Sequence, residues 1–129
     1  MPAPRRDVFQ YAVVRVVPRV EREEFLNVGV ILLCRARRYL GARVVLDEAR
    51  LAAIAPDLDP AGVTPHLQAI ERIAAGDSDA GPIARLGIAE RFHWLVAPAS
   101  TIIQASPVHT GLSDDPKAEL DRLVEALVR

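Results

Sequence analysis

Residues 8–17 read VFQYAVVRVV and residues 25–34 read FLNVGVILLC, two apolar runs rich in β-branched side chains and separated by the polar connector 19–24. The first, stopped by Pro18, reads as a strand buried on both faces, and the second, too short and too β-rich for a comfortable helix, as a second strand. Gly29 inside the second signals a bulge or a close approach of neighbouring backbone. Outward from this pair, 35–39 is a mostly polar turn and 40–46, LGARVVL, is a third strand. Three strands joined by links this short form an antiparallel meander.

The pattern then changes period. Asp47 is placed to cap a short helix over 48–55 that Pro56 closes, and 56–62 is a break rich in Pro and Asp. Thr64 caps the next helix, with Pro65 at its first position, a stripe of Leu67, Ile70, Ile73 and Ala74, and Gly76 as its stop. A third helical pattern covers about 83–96, carried by Ile88, Phe92, Leu95 and Val96 and interrupted by Gly87. A fourth strand is expected at 100–106, STIIQAS, between Pro98 and Pro107. Asp115 and Pro116 start a last helix with Leu120, Leu123, Val124 and Leu127 inward. The expected fold is a single α+β domain over 1–129, an antiparallel sheet of about four strands in the order β-β-β-α-α-α-β-α, with helices packed mainly on one face.

At 129 residues, 50% hydrophobic and 26% charged, the chain can bury a core without metal or disulfide, which excludes disordered and fibrous classes. Its one cysteine, Cys34, can make no internal disulfide. No apolar run reaches membrane-spanning length, and the polar start suggests no leader, so a cytoplasmic protein with no membrane association is expected. The formal charge of −1 is unevenly spread, +4 over 1–50 and −5 over 51–129, and demands no phosphate-binding surface. The charge and the few aromatics rank nucleic acid last among partners.

Motifs for familiar chemistry are missing. His66, His93 and His109 are scattered with no ligand spacing, so no metal is expected, and no Walker or dinucleotide loop is present to hold a cofactor. No nucleophile elbow surrounds Ser100 or Ser106. Polar groups nevertheless gather. Alternation places Tyr11, Val13, Arg15 and Val17 on one face of the first strand, with Arg15 odd among valines. An Arg there either pairs with an acid such as Glu24, sits at a wet edge, or recognises an anion. Alternation likewise groups Asn27, Gly29, Ile31 and Leu33 on the second strand, and Ser100, Ile102, Gln104 and Ser106 on the fourth. If the fourth strand pairs beside the first, these groups line the sheet face left open by the helices, with Arg43 near; the same pattern describes an ordinary solvated sheet face. The segment 90–111 is the richest in reactive types, including Arg91, Ser100, Thr101, Gln104 and His109.

The stretches YAVVRVVP (11–18), EFLNVGVILLC (24–34), LGARVV (40–45) and ERFHWLVAPASTIIQASPVHTG (90–111) together resemble the bacterial family DUF3037, which has no assigned function. Its F-x-N-V-G-V motif is matched by Phe25, Asn27, Val28, Gly29 and Val30. The run R-F-x-W-L…S-T-x-x-Q-x-S is matched by Arg91, Phe92, Trp94, Leu95, Ser100, Thr101, Gln104 and Ser106. Many members carry Arg before the S-T pair, where this chain has Ala99, so a positive charge there is not essential. The resemblance implies a bacterial cytoplasmic accessory protein and an association with HipA-like kinases.

Two functions remain. One is a small non-catalytic module that binds a protein partner through its sheet face or through the hairpin from Arg35 to Arg43. The other is an enzyme or ligand-binding domain for a phosphate- or carboxylate-bearing group, with Arg15 and Arg91 holding charge, Asn27, Thr101 and Gln104 orienting, and Ser100 or His109 nearest any chemistry. The second requires Arg15 and Arg91 to meet near Ser100 in one concave pocket. Edge strands leave a homodimer open in either case.

Overall fold

The computed structural model describes residues 5–99 and 101–129, arranged as an α+β fold. Five strands, β1 (Asp7–Val16), β2 (Leu26–Cys34), β3 (Tyr39–Val44), β4 (Ile103–Ala105) and β5 (His109–Ser113), form one antiparallel sheet. Four helices accompany it, α1 (Glu48–Ile54), α2 (Thr64–Ala75), α3 (Ile88–Val96) and α4 (Pro116–Leu127). The meander β1-β2-β3 forms as expected. On the far side of β1, β4 pairs with Val14–Val16 and β5 with Asp7–Tyr11, so the two short strands lie end to end along one neighbour.

The fifth strand is absent from the sequence reading, because HTGLS carries no apolar alternation. The expected strand over 100–106 contracts to three residues, and Ser100 lies outside the described residues. The third helical pattern also divides: a 3-10 turn at Pro82–Arg85 precedes Gly87, which caps α3. Thr64 is not the cap of α2, since Val63 holds that position and the Thr64 hydroxyl donates to the Pro60 carbonyl at 3.0 Å. Asp47 and Asp115 do cap α1 and α4, each carboxylate accepting from backbone N–H groups of the first turn.

Helices α1, α2 and α3 cover one face of the sheet. There Val14, Val16, Ile31, Leu33 and Leu40 pack with Leu51, Leu67 and Phe92. The fourth helix crosses to the other face and covers β2 and β3, where Val30, Leu32 and Cys34 meet Leu120, Leu123, Val124 and Val128. Fully buried leucines and isoleucines of this kind each contribute about 1.5–3 kcal/mol. Leu127, expected inward, is 37% exposed, and Val128 at 5% takes its place against the sheet. β2 is buried on both faces, which accounts for its near-continuous apolar sequence.

Gly29 marks a bulge, as its position suggested. Val14 pairs with Gly29 and Arg15 with Asn27, so Val28 is the extra residue on β2. A Cβ on Gly29 would come within 2.8 Å of the Arg43 carbonyl oxygen, so only glycine fits this crossing. The bulge also corrects a grouping. Ile31 and Leu33 face α1–α3, whereas Asn27 lies on the α4 side, because the inserted residue reverses the alternation.

Candidate functional site

The strand β1 sorts its side chains regularly: Val14 and Val16 enter the core under α1–α3, so Tyr11, Val13 and Arg15 point to the opposite face. On that face α4 lies over β2 and β3 and takes in Phe9 of β1, so the side chains of β1, β4 and β5 left partly or fully exposed there are Tyr11, Arg15, Gln104 and His109. Arg15 stands in register between Asn27 of β2 and Gln104 of β4, a polar row across three strands. Four residues away, Tyr11 is paired with His109 of β5, their rings 5.2 Å apart.

Arg15 is not neutralised. Its guanidinium carbon lies 4.1 Å from the centre of the Phe25 ring, and Phe25 itself is 46% exposed just before β2 begins. This cation–π stack contributes about 0.5–1 kcal/mol at a wet site. Arg15 forms no ion pair among the described residues; Glu24, the acid closest to Phe25 in sequence, is engaged by Arg22. The Arg15 Nε atom is buried and has no hydrogen-bond partner, and so is Asn27 Oδ1 on the adjacent strand.

Most of the other candidates are occupied by the fold. The Asn27 amide donates to the Leu127 carbonyl at 3.1 Å, and Arg50 donates to the Val128 carbonyl at 2.9 Å; together they cap the end of α4. Arg43 lies on the α4 side and pairs with Asp121 at 2.9 Å. Arg91 lies on the other side of the sheet, where it donates to the carbonyls of Leu86 at 2.8 Å and Ala74 at 3.5 Å. It closes the end of α2 beside Gly76, whose φ of 75° is the left-handed cap expected there. Thr101 donates to the Ile103 carbonyl at 2.7 Å and Gln104 to the Thr101 carbonyl at 2.9 Å, so both shape the entry to β4. The sheet thus separates Arg15 from Arg91, and the structure does not assemble the pocket that an anion-handling site with both arginines requires.

Ser106 has a structural task. Its hydroxyl accepts from the Val13 N–H at 2.8 Å and donates to the Pro107 carbonyl at 2.9 Å, while its own N–H donates to the Val13 carbonyl at 2.8 Å. It supplies β1 with partners in the gap between β4 and β5. The three histidines stand on α2, α3 and β5, and no group of three or more metal-ligating side chains occurs among the described residues. In the hairpin, Arg37 folds back onto Asp7 at 2.8 Å and onto the carbonyls of Arg5 and Asp114, leaving Arg35 and Arg38 exposed. The hydrogen bond from Arg37 holds the Asp7 carboxyl below the usual carboxylate range, and burial pushes the Tyr39 phenol above its usual value.

A groove of about 390 Å³ lies on the opposite face, between α2, α3 and β4, with Ile70, Ile73, Trp94 and Leu95 among its walls. It contains no unpaired charge. Among the candidate residues Arg15 is a cation on the β1 face opposite α1–α3 that no acid compensates among the described residues, and its aromatic partner Phe25 was read from sequence as part of a strand. The bulge at Val28 reverses the alternation, so Phe25 falls with Asn27 on the Arg15 side of β2.

Among the described residues no helix is long and apolar enough to cross a membrane. No curated protein and no solved structure matches the chain. The family model described as a protein of unknown function, DUF3037, matches residues 11–128, and the chain belongs to that family.

Proposed function

We propose that this chain is a small non-catalytic accessory protein of the bacterial cytoplasm, which binds a protein partner through the sheet face around Arg15 and Phe25. The observation that supports this reading is the division of labour among the polar residues. Asn27, Arg43, Arg91, Thr101, Gln104 and Ser106 hold the chain's own backbone or pair with its own acids. Arg15 does not. Arg and aromatic side chains are both enriched in the cores of protein interfaces, and Arg among the residues that carry most of the binding energy. An acidic side chain of the partner is the complement that such a guanidinium selects.

Native mass spectrometry of the tagged protein, gently purified from its own host, tests the proposal. A HipA-like kinase, implied by the family resemblance, is the first partner to look for. The expected result is a second protein at fixed stoichiometry that is lost from Arg15→Glu and retained by the conservative control Arg72→Gln on α2. A bound small anion on an otherwise lone chain would favour the ligand-binding reading, which Arg15 alone among the two proposed arginines still serves. Equal recovery of the partner on wild type and Arg15→Glu would overturn the role of this face.

A further inference from the structure

The two edges of the sheet are treated differently. Along the β3 edge, α2 packs against the strand, and the Glu71 carboxylate takes the Val44 N–H at 3.2 Å, so a backbone donor is occupied and a negative charge guards it. The β5 edge has no such cover among the described residues. His109–Ser113 contains no Lys, Arg, Asp, Glu or Pro, the devices that usually blunt an open edge. Beside it stand aliphatic groups in water: Val8 is 61% exposed and Leu112 53%, and the two are cross-strand neighbours on one face.

We infer that the β5 edge is a pairing surface for a second copy of this chain, with β5 antiparallel to itself about Gly111. The strand is neutral, so bringing two copies together meets no like-charge opposition. In this register His109 of one copy faces Ser113 of the other, and Leu112 faces Thr110. The Val8–Leu112 pairs of both copies then lie diagonally across the junction as one four-residue apolar patch. The contact is isologous and closes at two chains, because each β5 has one free side. A two-fold axis of this kind stands perpendicular to the sheet, so the Arg15 faces of both copies open on the same side. A heterologous peptide added to the same edge would need its own complementary apolar residues, whereas the second copy already carries them.

Sedimentation velocity of the full chain from low micromolar to millimolar concentration tests this. The expected result is a reversible monomer–dimer equilibrium that Leu112→Lys weakens about tenfold or more, with an unchanged circular dichroism spectrum because Leu112 is already in water. Amide exchange supplies the second readout: β5 amides that point away from β1 gain protection with concentration in wild type and not in the variant. A chain that stays monomeric throughout, or a dimer that Leu112→Lys leaves intact, overturns the inference. Neither outcome depends on Arg15, so this surface and the proposed partner face are separately testable.

Discussion

Replacing Ser106 by Ala removes one oxygen and should cost the fold far more than a serine-to-alanine change usually does. Ser106 is 3% exposed, and its hydroxyl is the acceptor for the Val13 N–H at 2.8 Å in the interval where β1 has lost β4 and not yet met β5. Alanine fills nearly the same space, so cavity formation contributes little; the cost is a buried backbone donor left without an acceptor, about 1–3 kcal/mol. Loss of the bond to the Pro107 carbonyl adds at its lower end. For a chain of this size, a change of about 2 kcal/mol lowers Tm by roughly 8 °C. Urea denaturation gives the free-energy difference, and hydrogen exchange at Val13 reports the site directly. Ser78→Ala, in an exposed turn, serves as control and should stay within about 0.5 kcal/mol of wild type. A Ser106→Ala variant as stable as that control, with Val13 exchange unchanged, would refute the reasoning.

Other perturbations follow from the same contacts. Leu123→Ala should cost about 2–5 kcal/mol in the same denaturation assay, because Leu123 is buried between α4 and β2; a near-zero change would mean that α4 is not docked there. Arg15→Ala should change stability by only about 1 kcal/mol or less, the worth of its stack on Phe25, while removing partner binding; a loss of about 3–5 kcal/mol would instead reveal a buried ion pair. Asp7 has its folded pKa depressed chiefly by the Arg37 hydrogen bond, so its contribution to stability is present above its unfolded value near pH 4 and is lost as pH falls through the folded value. Asp7→Asn should therefore flatten the acid limb of the stability curve below about pH 4, and an unchanged limb would show that the pair with Arg37 does not contribute. Tyr39 has its folded pKa raised by burial, so ultraviolet titration should show its ionisation beginning above the usual tyrosine range, and an ordinary titration would mean that the ring is solvated.

The meander was legible because its first two strands are rich in apolar and β-branched residues with Pro18 stopping the first, and the third follows after a short polar turn. The caps at Asp47 and Asp115 were legible for a similar reason, since a short acidic side chain before a helix has one favourable use. β5 was hidden because its stability comes from pairing with β1 and not from its own pattern: the Phe9 ring covers Gly111, a contact that no local rule announces. The placement of α4 on the opposite face was equally hidden, since an amphipathic stripe says which side of a helix is buried and not against which face of a sheet.

The candidate site shows the same division. Strand alternation correctly placed Arg15 opposite Val14 and Val16, but the Val28 bulge moved Asn27 to a face that simple alternation denied it. Arg91, Thr101 and Gln104, which match the family motif, are engaged by this chain's own backbone at the end of α2 and the entry to β4. Sequence shows that a polar residue occurs in a motif; only the backbone acceptor beside it shows that its hydrogen bonds are already spent.

The claim that the sheet face around Arg15 and Phe25 is where a partner docks is tested most directly by photocrosslinking in the host cell. A photoreactive phenylalanine analogue placed at Phe25 should form a defined adduct with one other protein. The same analogue at His66 on α2, on the far side of the sheet, should form none. Adducts from His66 with none from Phe25 would contradict the account, because the contact surface would then lie on the helical face.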